Sequence, residues 1–447
     1  MNKRTFLKTS SALVAGSVIT QLSACRDADA RTNWAGNLTY STDNLHNPAT
    51  IKEVQKVVNT QQYLRVLGSR HSFNAIADSD ENQVSSAGLN KILALDKADA
   101  TVTVEGGIKY GDLCKYLDDN GFALFNLASL PHISVAGACA TATHGSGLNN
   151  GNLATSVTGI EFIDGRGNVV NLSKETDEAF NGAIVNLGAL GVVTKLTLQL
   201  QPSFSMKQLV YKNLPMAVLG KDFETIMASG YSVSLFTDWR NKNINQVWIK
   251  SRCEAHEDVK IEPEFYGARA SVKNIHPLED LSAENCTEQM GVKGPWYERM
   301  PHFRMGFTPS SGKELQAEYF VPLQYGYEAM MAIEKLHEQL TPHLFISEIR
   351  TMAADNLWLS PGYNQACAIF HFTWKQEIEA VMGLLPLIEQ QLAPFNARPH
   401  WGKLFTLSPE VLQSRIARLA DFKKLMAHYD PDEKFRNEFI NQNLFGA

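Results

Sequence analysis

Closely spaced cysteine pairs are absent from this chain: the six cysteines stand at Cys25, Cys114, Cys139, Cys253, Cys286 and Cys367, with no two-residue spacing among them. That pattern signals neither a dense disulfide framework nor a zinc site, and no metal is expected. Excess positive charge is absent too. With 41 Lys and Arg against 47 Asp and Glu, the formal charge is -6. No overall basic field exists to hold a phosphate polymer, so no nucleic-acid partner is expected. There is no internal repeat. The three-glycine fingerprint that opens a helix in nucleotide-binding βαβ units is also missing, which removes the usual dinucleotide reading. No apolar run is long enough to cross a bilayer, so no transmembrane helix is expected in the mature chain.

What is present starts with an address. Basic Lys3, Arg4 and Lys8 precede the short apolar run from Leu13 to Ile19, the layout of a signal segment. Lys3-Arg4-Thr5-Phe6-Leu7-Lys8 resembles a twin-arginine signal with lysine in the first basic place, a route suited to proteins folded around a cofactor before export. Leu22-Ser23-Ala24-Cys25 resembles a bacterial lipobox, which implies a lipid anchor at Cys25 and a place in the cell envelope, periplasmic or surface. Residues 1–25 therefore read as an export signal.

Residues 33–202 mix short β-rich runs with turns and helices. Val66-Leu67, Thr101 to Val104 and Val192 to Leu198 are strand-like, and Gly111 to Asn120 has helical spacing closed by Gly121. Residues 204–394 carry longer strands and two helices, around Ala329 to Leu340 and Gln376 to Leu392. Residues 395–447 are expected to return to the first region. The pattern is α+β without regular βαβ alternation.

Three stretches are rich in small residues. Val66 to Asn74 runs from a strand into Gly68-Ser69-Arg70-His71-Ser72-Phe73, a turn able to aim backbone amides at a phosphate. Ser134 to Gly147 holds almost no bulky side chain, which lets backbone approach a flat ligand. Gly188-Ala189-Leu190-Gly191 precedes a strand. Each alone is a common turn, and together they point to a cofactor cradle.

Two apolar strands carry polar pairs. Glu348 and Arg350 share one face of Leu344 to Met352, and His371 and Thr373 share one face of Ala368 to Trp374. Burying such groups alone is costly, by roughly 1–3 kcal/mol for a neutral group and more for a charge, so they must meet one another or line a wet cavity. An internal ion pair and a satisfied core histidine are the plainer reading of the same pattern.

From Asn33-Trp34-Ala35-Gly36-Asn37 through Ser234 to Arg240 and Cys286-Thr287-Glu288-Gln289 to Asp430-Pro431, the chain resembles the vanillyl-alcohol oxidase type of FAD-linked oxidase, in its alditol-oxidising branch. The resemblance implies a two-domain FAD-binding fold with a separate cap or substrate domain: FAD-binding residues 33–202, cap 204–394 and a C-terminal segment 395–447. It implies FAD bound covalently to His71 of the Gly-Ser-x-His-Ser turn. Arg70 departs from the glycine expected in that turn, and either adds a cation near the pyrophosphate or hinders the turn if a positive φ is needed there. Around the flavin the expected residues are Gly68, Ser69, Arg70, His71, Ser72, Phe73, Ser129, Ser134, Gly137, Thr141, Thr143, His144, Val193 and His400. His144 is expected to support its turn rather than perform chemistry, and Ala128 to sit where a residue admits or obstructs oxygen.

For the substrate, the resemblance implies Ser129, Glu348, Arg350, Thr373 and Lys403 as binding residues, with His371 and Lys403 catalytic. The expected reaction is oxidation of the terminal primary hydroxyl of an acyclic sugar alcohol such as xylitol or sorbitol to the aldose, with oxygen reduced to hydrogen peroxide. Lys403 would stabilise the developing alkoxide and His371 accept or orient the hydroxyl proton. Two other readings remain at this point. One is an aldonolactone oxidase or a dehydrogenase using another acceptor; the other is a lipid-anchored sugar-binding protein without turnover.

Overall fold

The structure is a computed structural model and describes residues 31–254, 258–307 and 313–446. The export signal and Cys25 lie outside the described residues. Strand alternation builds the first half. Thr101–Glu105 buries Val102 and Val104 and turns its threonines outward. It pairs antiparallel with Val192–Gln199, which pairs in turn with Val157–Ile163. Ile92–Asp96 and Val169–Ser173 complete this five-stranded sheet. Helix Tyr110–Asp119 buries Leu113, Cys114 and Leu117 in the same core. It ends before Gly121, whose φ of +84° stops a helix readily. A small parallel sheet of Leu45–His46, Gln83–Ser85 and Arg65–Leu67 delivers the chain directly into the Gly68 turn.

Arg65 fastens that turn to distant chain. Its guanidinium is buried and donates to the carbonyls of Leu187 (2.8 Å), Gly188 (3.1 Å), Ile76 and Phe435. Leu187 and Gly188 both have positive φ, +55° and +69°, so their carbonyls are turned toward one donor.

The second half is a ten-stranded sheet, antiparallel throughout its named pairs. Its central order is Ser205–Pro215, Asn243–Cys253, Ser232–Thr237, Leu344–Met352, Cys367–Lys375, Glu314–Pro322. Cross-strand register explains the polar pairs. Glu348 pairs with His371, which pairs with Glu318 on the next strand, while Ile349 pairs with Phe370 and Phe370 with Tyr319. Side chains alternate between faces, so one face carries Glu348, His371 and Glu318 and the other carries apolar side chains. Helices Leu219–Met227, Gly326–Glu334 and Ile378–Leu392 cover the apolar face. The helix expected over 329–340 is two helices, Gly326–Glu334 and His337–Leu340, because the chain tightens at Leu336, whose amide donates to Ile333 three residues back.

The C-terminal segment engages both halves. Arg398–Pro399 pairs with Glu314–Pro322 at the edge of the ten-stranded sheet. Farther on, Phe435 packs with Val54 and Val58 of the first half, and the Leu64 amide donates to the Lys434 carbonyl at 2.9 Å. Among the described residues, no helix is long and apolar enough to cross a membrane.

Arg65→Met removes the donors from four buried carbonyls at once. It should lower the free energy of unfolding by about 2–4 kcal/mol in a denaturant titration, and lower flavin retention with it, because the 187–188 turn loses its anchor.

Candidate active site

Between the polar face of the large sheet and the three small-residue stretches lies a cleft enclosing about 1380 Å³, part of it open to solvent. All three stretches reach it: Gly68, Ser69, Arg70, His71 and Ser72 from the first, Gly137, Thr141, Thr143 and His144 from the second, Gly188, Gly191 and Val193 from the third. Ala128, Ser129, Glu348, Arg350, His371, His400 and Lys403 also line it. Three expected residues do not. Phe73 is buried beneath Lys403, Thr373 is half-buried with its hydroxyl against His371 Nε2, and the Ser134 hydroxyl is enclosed between Gly68 and Gly137.

The need for small residues is visible in the packing. A Cβ on Gly68 would stand 2.9 Å from Ser134 Oγ, and one on Gly137 would stand 2.8 Å from the same atom. Ser134 Oγ is buried and has no hydrogen-bond partner within the protein. Gly68 and Gly137 thus let the backbones of the first two stretches meet at the cleft wall, where both residues face the cavity as bare backbone, the cradle a pyrophosphate needs. The site therefore fits FAD.

Arg70 answers the departure noted in the sequence. Its φ is +63°, a conformation glycine adopts freely and other residues at a cost. The turn forms nonetheless, with the Arg70 carbonyl accepting from the Trp34 amide at 2.8 Å and the side chain reaching the Thr32 carbonyl. The guanidinium is thus turned toward the N-terminal segment.

His71 is packed tightly. The Trp34 ring lies 4.5 Å from its ring centroid, and His132 Nε2 is 3.2 Å from His71 Nδ1. Burial, with the Lys403 charge adding to it, holds His71 well below the ordinary histidine pKa, so the imidazole is neutral. Burial likewise brings His132 down to about 4. A neutral ring presents a free nitrogen lone pair, the form that can act as a nucleophile.

Glu318 was missed by sequence reasoning, and it organises the substrate side. It is 2% exposed and accepts from Arg350 Nη2 at 2.6 Å, with His144 Nε2 at 2.9 Å and His371 Nδ1 at 3.2 Å. Burial alone would raise its pKa; Arg350, then His144 and His371, overturn that and hold it well below the carboxylate range. His144 accordingly does more than support its turn: it joins the Gly145 carbonyl at 2.8 Å to this carboxylate. His144, Glu318 and His400 bring ligating atoms within 4.8 Å of one another, but the Arg350 cation already occupies the same carboxylate.

Because Glu318 can only accept, His371 carries its proton on Nδ1 and presents the Nε2 lone pair, which lies 3.2 Å from Thr373 Oγ1. Burial lowers the His371 pKa, partly offset by Glu318. Lys403 Nζ donates to Gln316 Oε1 and lies 4.7 Å from the Phe73 ring centroid. Burial brings it down to about 8, with Glu318 opposing. Arg350 Nε has no hydrogen-bond partner in the protein and stands 3.6 Å from Glu348 Oε2. Gln316 and Glu318 were legible in principle: they are two apart on the apolar run 314–322, the same alternation that marked the other two strands.

The model of the FAD binding domain family matches residues 43–173, and that of D-arabinono-1,4-lactone oxidase matches residues 305–443. An alditol oxidase of Streptomyces sp. is 45% identical over 424 residues, covering 93% of this chain and 99% of that protein. An L-gulono-1,4-lactone dehydrogenase of Mycobacterium tuberculosis is 26% identical, covering 92% of this chain and 98% of its own length. Among solved structures, cholesterol oxidase from B. sterolicum superposes with a TM-score of 0.74 at 15% identity, over 93% of this chain and 96% of that one. This likeness concerns the fold, two-domain and α+β. The glycine-lined cleft, the buried carboxylate, histidine and lysine set and the full-length relative lead to one family: the chain is an FAD-dependent oxidoreductase of the alditol oxidase family, of the vanillyl-alcohol oxidase type and close to the aldonolactone oxidases.

Proposed function

We propose that the protein oxidises the terminal primary hydroxyl of an acyclic sugar alcohol, such as xylitol or sorbitol, to the aldose, with oxygen as acceptor and hydrogen peroxide as product. The observation that carries this is that the cleft wall holds His371, its Nδ1 against Glu318 and its Nε2 against the Thr373 hydroxyl, together with the half-buried Lys403 cation. An alcohol gives up hydride from carbon readily only as its O–H proton leaves. Lys403 stabilises the alkoxide as it develops, and His371 Nε2 takes the proton. Glu348 accepts hydrogen bonds from the remaining hydroxyls, and Arg350 beside it on the cleft wall donates to them, which fixes the chain of carbons in the cleft. Ser129 supplies a further hydroxyl contact. When bound, FAD supplies the acceptor for the hydride, and oxygen then takes the two electrons and two protons. Ala128, with only a methyl group on the cleft wall, leaves room for oxygen to approach.

His71 is the proposed point of covalent attachment of FAD, supported by its neutral, tightly packed imidazole on the cleft. The chain is further proposed to be exported and anchored by lipid at Cys25, on the strength of the basic residues, the short apolar run and the Leu-Ser-Ala-Cys sequence.

Anaerobic addition of xylitol to the holoprotein should bleach the flavin. Bleaching by an aldonolactone but by no alditol would replace the substrate, and slow reoxidation by air beside fast dye reduction would replace oxygen. Yellow colour that stays with the protein after denaturing precipitation, and is lost in His71→Ala, checks the bond to flavin.

The pH dependence has a definite sign. His371 must be unprotonated, and its lowered pKa keeps it so until the pH falls below the ordinary histidine range. Lys403 must be protonated, and that form is lost as pH rises through about 8. A plot of kcat/KM against pH is therefore expected to be bell-shaped. Lys403→Met should lose the alkaline limb and slow flavin reduction by about 100-fold or more in stopped-flow measurements.

Gly137→Val fills the space between the helix Val135–Ala140 and the Gly68 turn. The purified variant should carry under about a tenth of the wild-type flavin absorbance per protein, since the backbone can no longer close on the cofactor.

A further inference from the structure

Behind Glu348 runs a buried chain of groups that does not reach the cleft. Glu348 Oε1 is 2.7 Å from His302 Nε2, and His302 Nδ1 is 3.1 Å from Lys250 Nζ. Lys250 Nζ also donates to the carbonyls of Met300 at 2.6 Å and Pro301 at 2.9 Å. Lys250 is 1% exposed and His302 7%. The His302 ring is boxed by Trp248 and Phe236, with centroids 5.3 and 5.5 Å away.

The donor count fixes the direction of this chain. An ammonium has three N–H donors and no acceptor, and Lys250 meets three acceptors: two carbonyls and His302 Nδ1. The His302 lone pair is therefore on Nδ1 and its proton on Nε2, given to Glu348 Oε1. Glu348 is thereby held as an anion in one orientation, leaving Oε2 toward Arg350. A charged lysine enclosed in protein costs several kcal/mol of lost hydration unless fully partnered, which a wholly structural core position would avoid with an apolar residue.

We propose that Lys250 and His302 are positioning residues that set the affinity of Glu348 for substrate hydroxyls through the hydrogen-bond chain Lys250 Nζ, His302 Nδ1 and Nε2, Glu348 Oε1. This rests on the proposed role of Glu348 in holding an alditol. Four titratable or charged groups face Lys250: Glu348 and Arg350 from the strand Leu344–Met352, Cys286 and His302 from the covering segment. Burial lowers Lys250 to about 7, with Glu348 and Cys286 opposing and Arg350 adding. Burial, then Lys250, lowers His302 to about 4 against the pull of Glu348, consistent with a neutral ring. As pH rises through about 7, Lys250 loses a donor and its charge, and alditol affinity is expected to weaken.

Two measurements on holoprotein test this. In the 15N spectrum of histidine-labelled protein, one imidazole should stay in the Nε2–H form without titrating near about 6.5, the ordinary value. It should vanish in His302→Leu and shift in Lys250→Met. Anaerobic stopped-flow with xylitol should give an apparent dissociation constant raised about tenfold or more in Lys250→Met and His302→Leu, with the limiting rate of flavin reduction within about threefold of wild type. The weakening of affinity through neutral pH should be absent in Lys250→Met. His302→Gln, which keeps an acceptor and a donor, should restore affinity to within about threefold. An imidazole that titrates normally, an unchanged affinity, or a limiting rate that falls as far as the affinity overturns the proposal. If no alditol reduces the wild-type flavin, the proposed function has failed, and the imidazole spectrum still decides the hydrogen-bond chain.

Discussion

The carboxylate of Glu318 is the constraint on which the substrate side depends. An anion enclosed by protein is tolerated only when its lone pairs are filled by charged or polar donors. Here Arg350, His144 and His371 fill them, from two adjacent strands of one sheet and from the glycine-rich stretch of the other half. One buried charge thus settles three things: the tautomer of His371, the direction of Arg350, and the joint between the glycine-rich cradle and the polar face of the large sheet. Removing any one partner leaves the others with an uncompensated charge in a low-dielectric setting, so these residues act as a unit.

The cradle works by the opposite principle, the absence of side chains. Gly68 and Gly137 come from a strand end and a short helix far apart in sequence, yet they face the same hydroxyl of Ser134. Their missing Cβ atoms are what lets the two backbones meet beside the cleft. Arg65 supplies the stiffness that such glycine-rich chain lacks, tying the 187–188 turn to the strand that leads into His71. Arg70 shows that the turn's left-handed position does not require glycine: the backbone bond to Trp34 and the packing around His71 hold it in place.

Electrostatics divides the labour along the cleft. Burial lowers both His371 and Lys403, in each case toward neutrality, and Glu318 resists both shifts. The result is a neutral base beside a cation that is only moderately acidic, the pairing an alcohol oxidation needs near neutral pH. Glu348 is kept ionised by a different set, Arg350 on one side and the His302 and Lys250 chain on the other.

The sequence by itself determined the strands and their faces, because alternation is a local property: Glu348 with Arg350 and His371 with Thr373 could be assigned to shared faces from spacing alone. It also determined the three small-residue stretches, since glycine and alanine mark close backbone approach wherever they cluster. The helix expected over 329–340 divides in two, because the tight turn at Leu336 has no glycine or proline to announce it. Only the tertiary structure decided which charges meet. Glu318 lies on an apolar strand read as cap, His144 in a turn read as support, and Lys250 and His302 on segments with no recognisable motif. Their pairing follows from cross-strand register and from a loop folding over the sheet, both set by contacts between residues distant in the chain. Spacing shows that a buried polar group needs a partner; only packing supplies the partner's name.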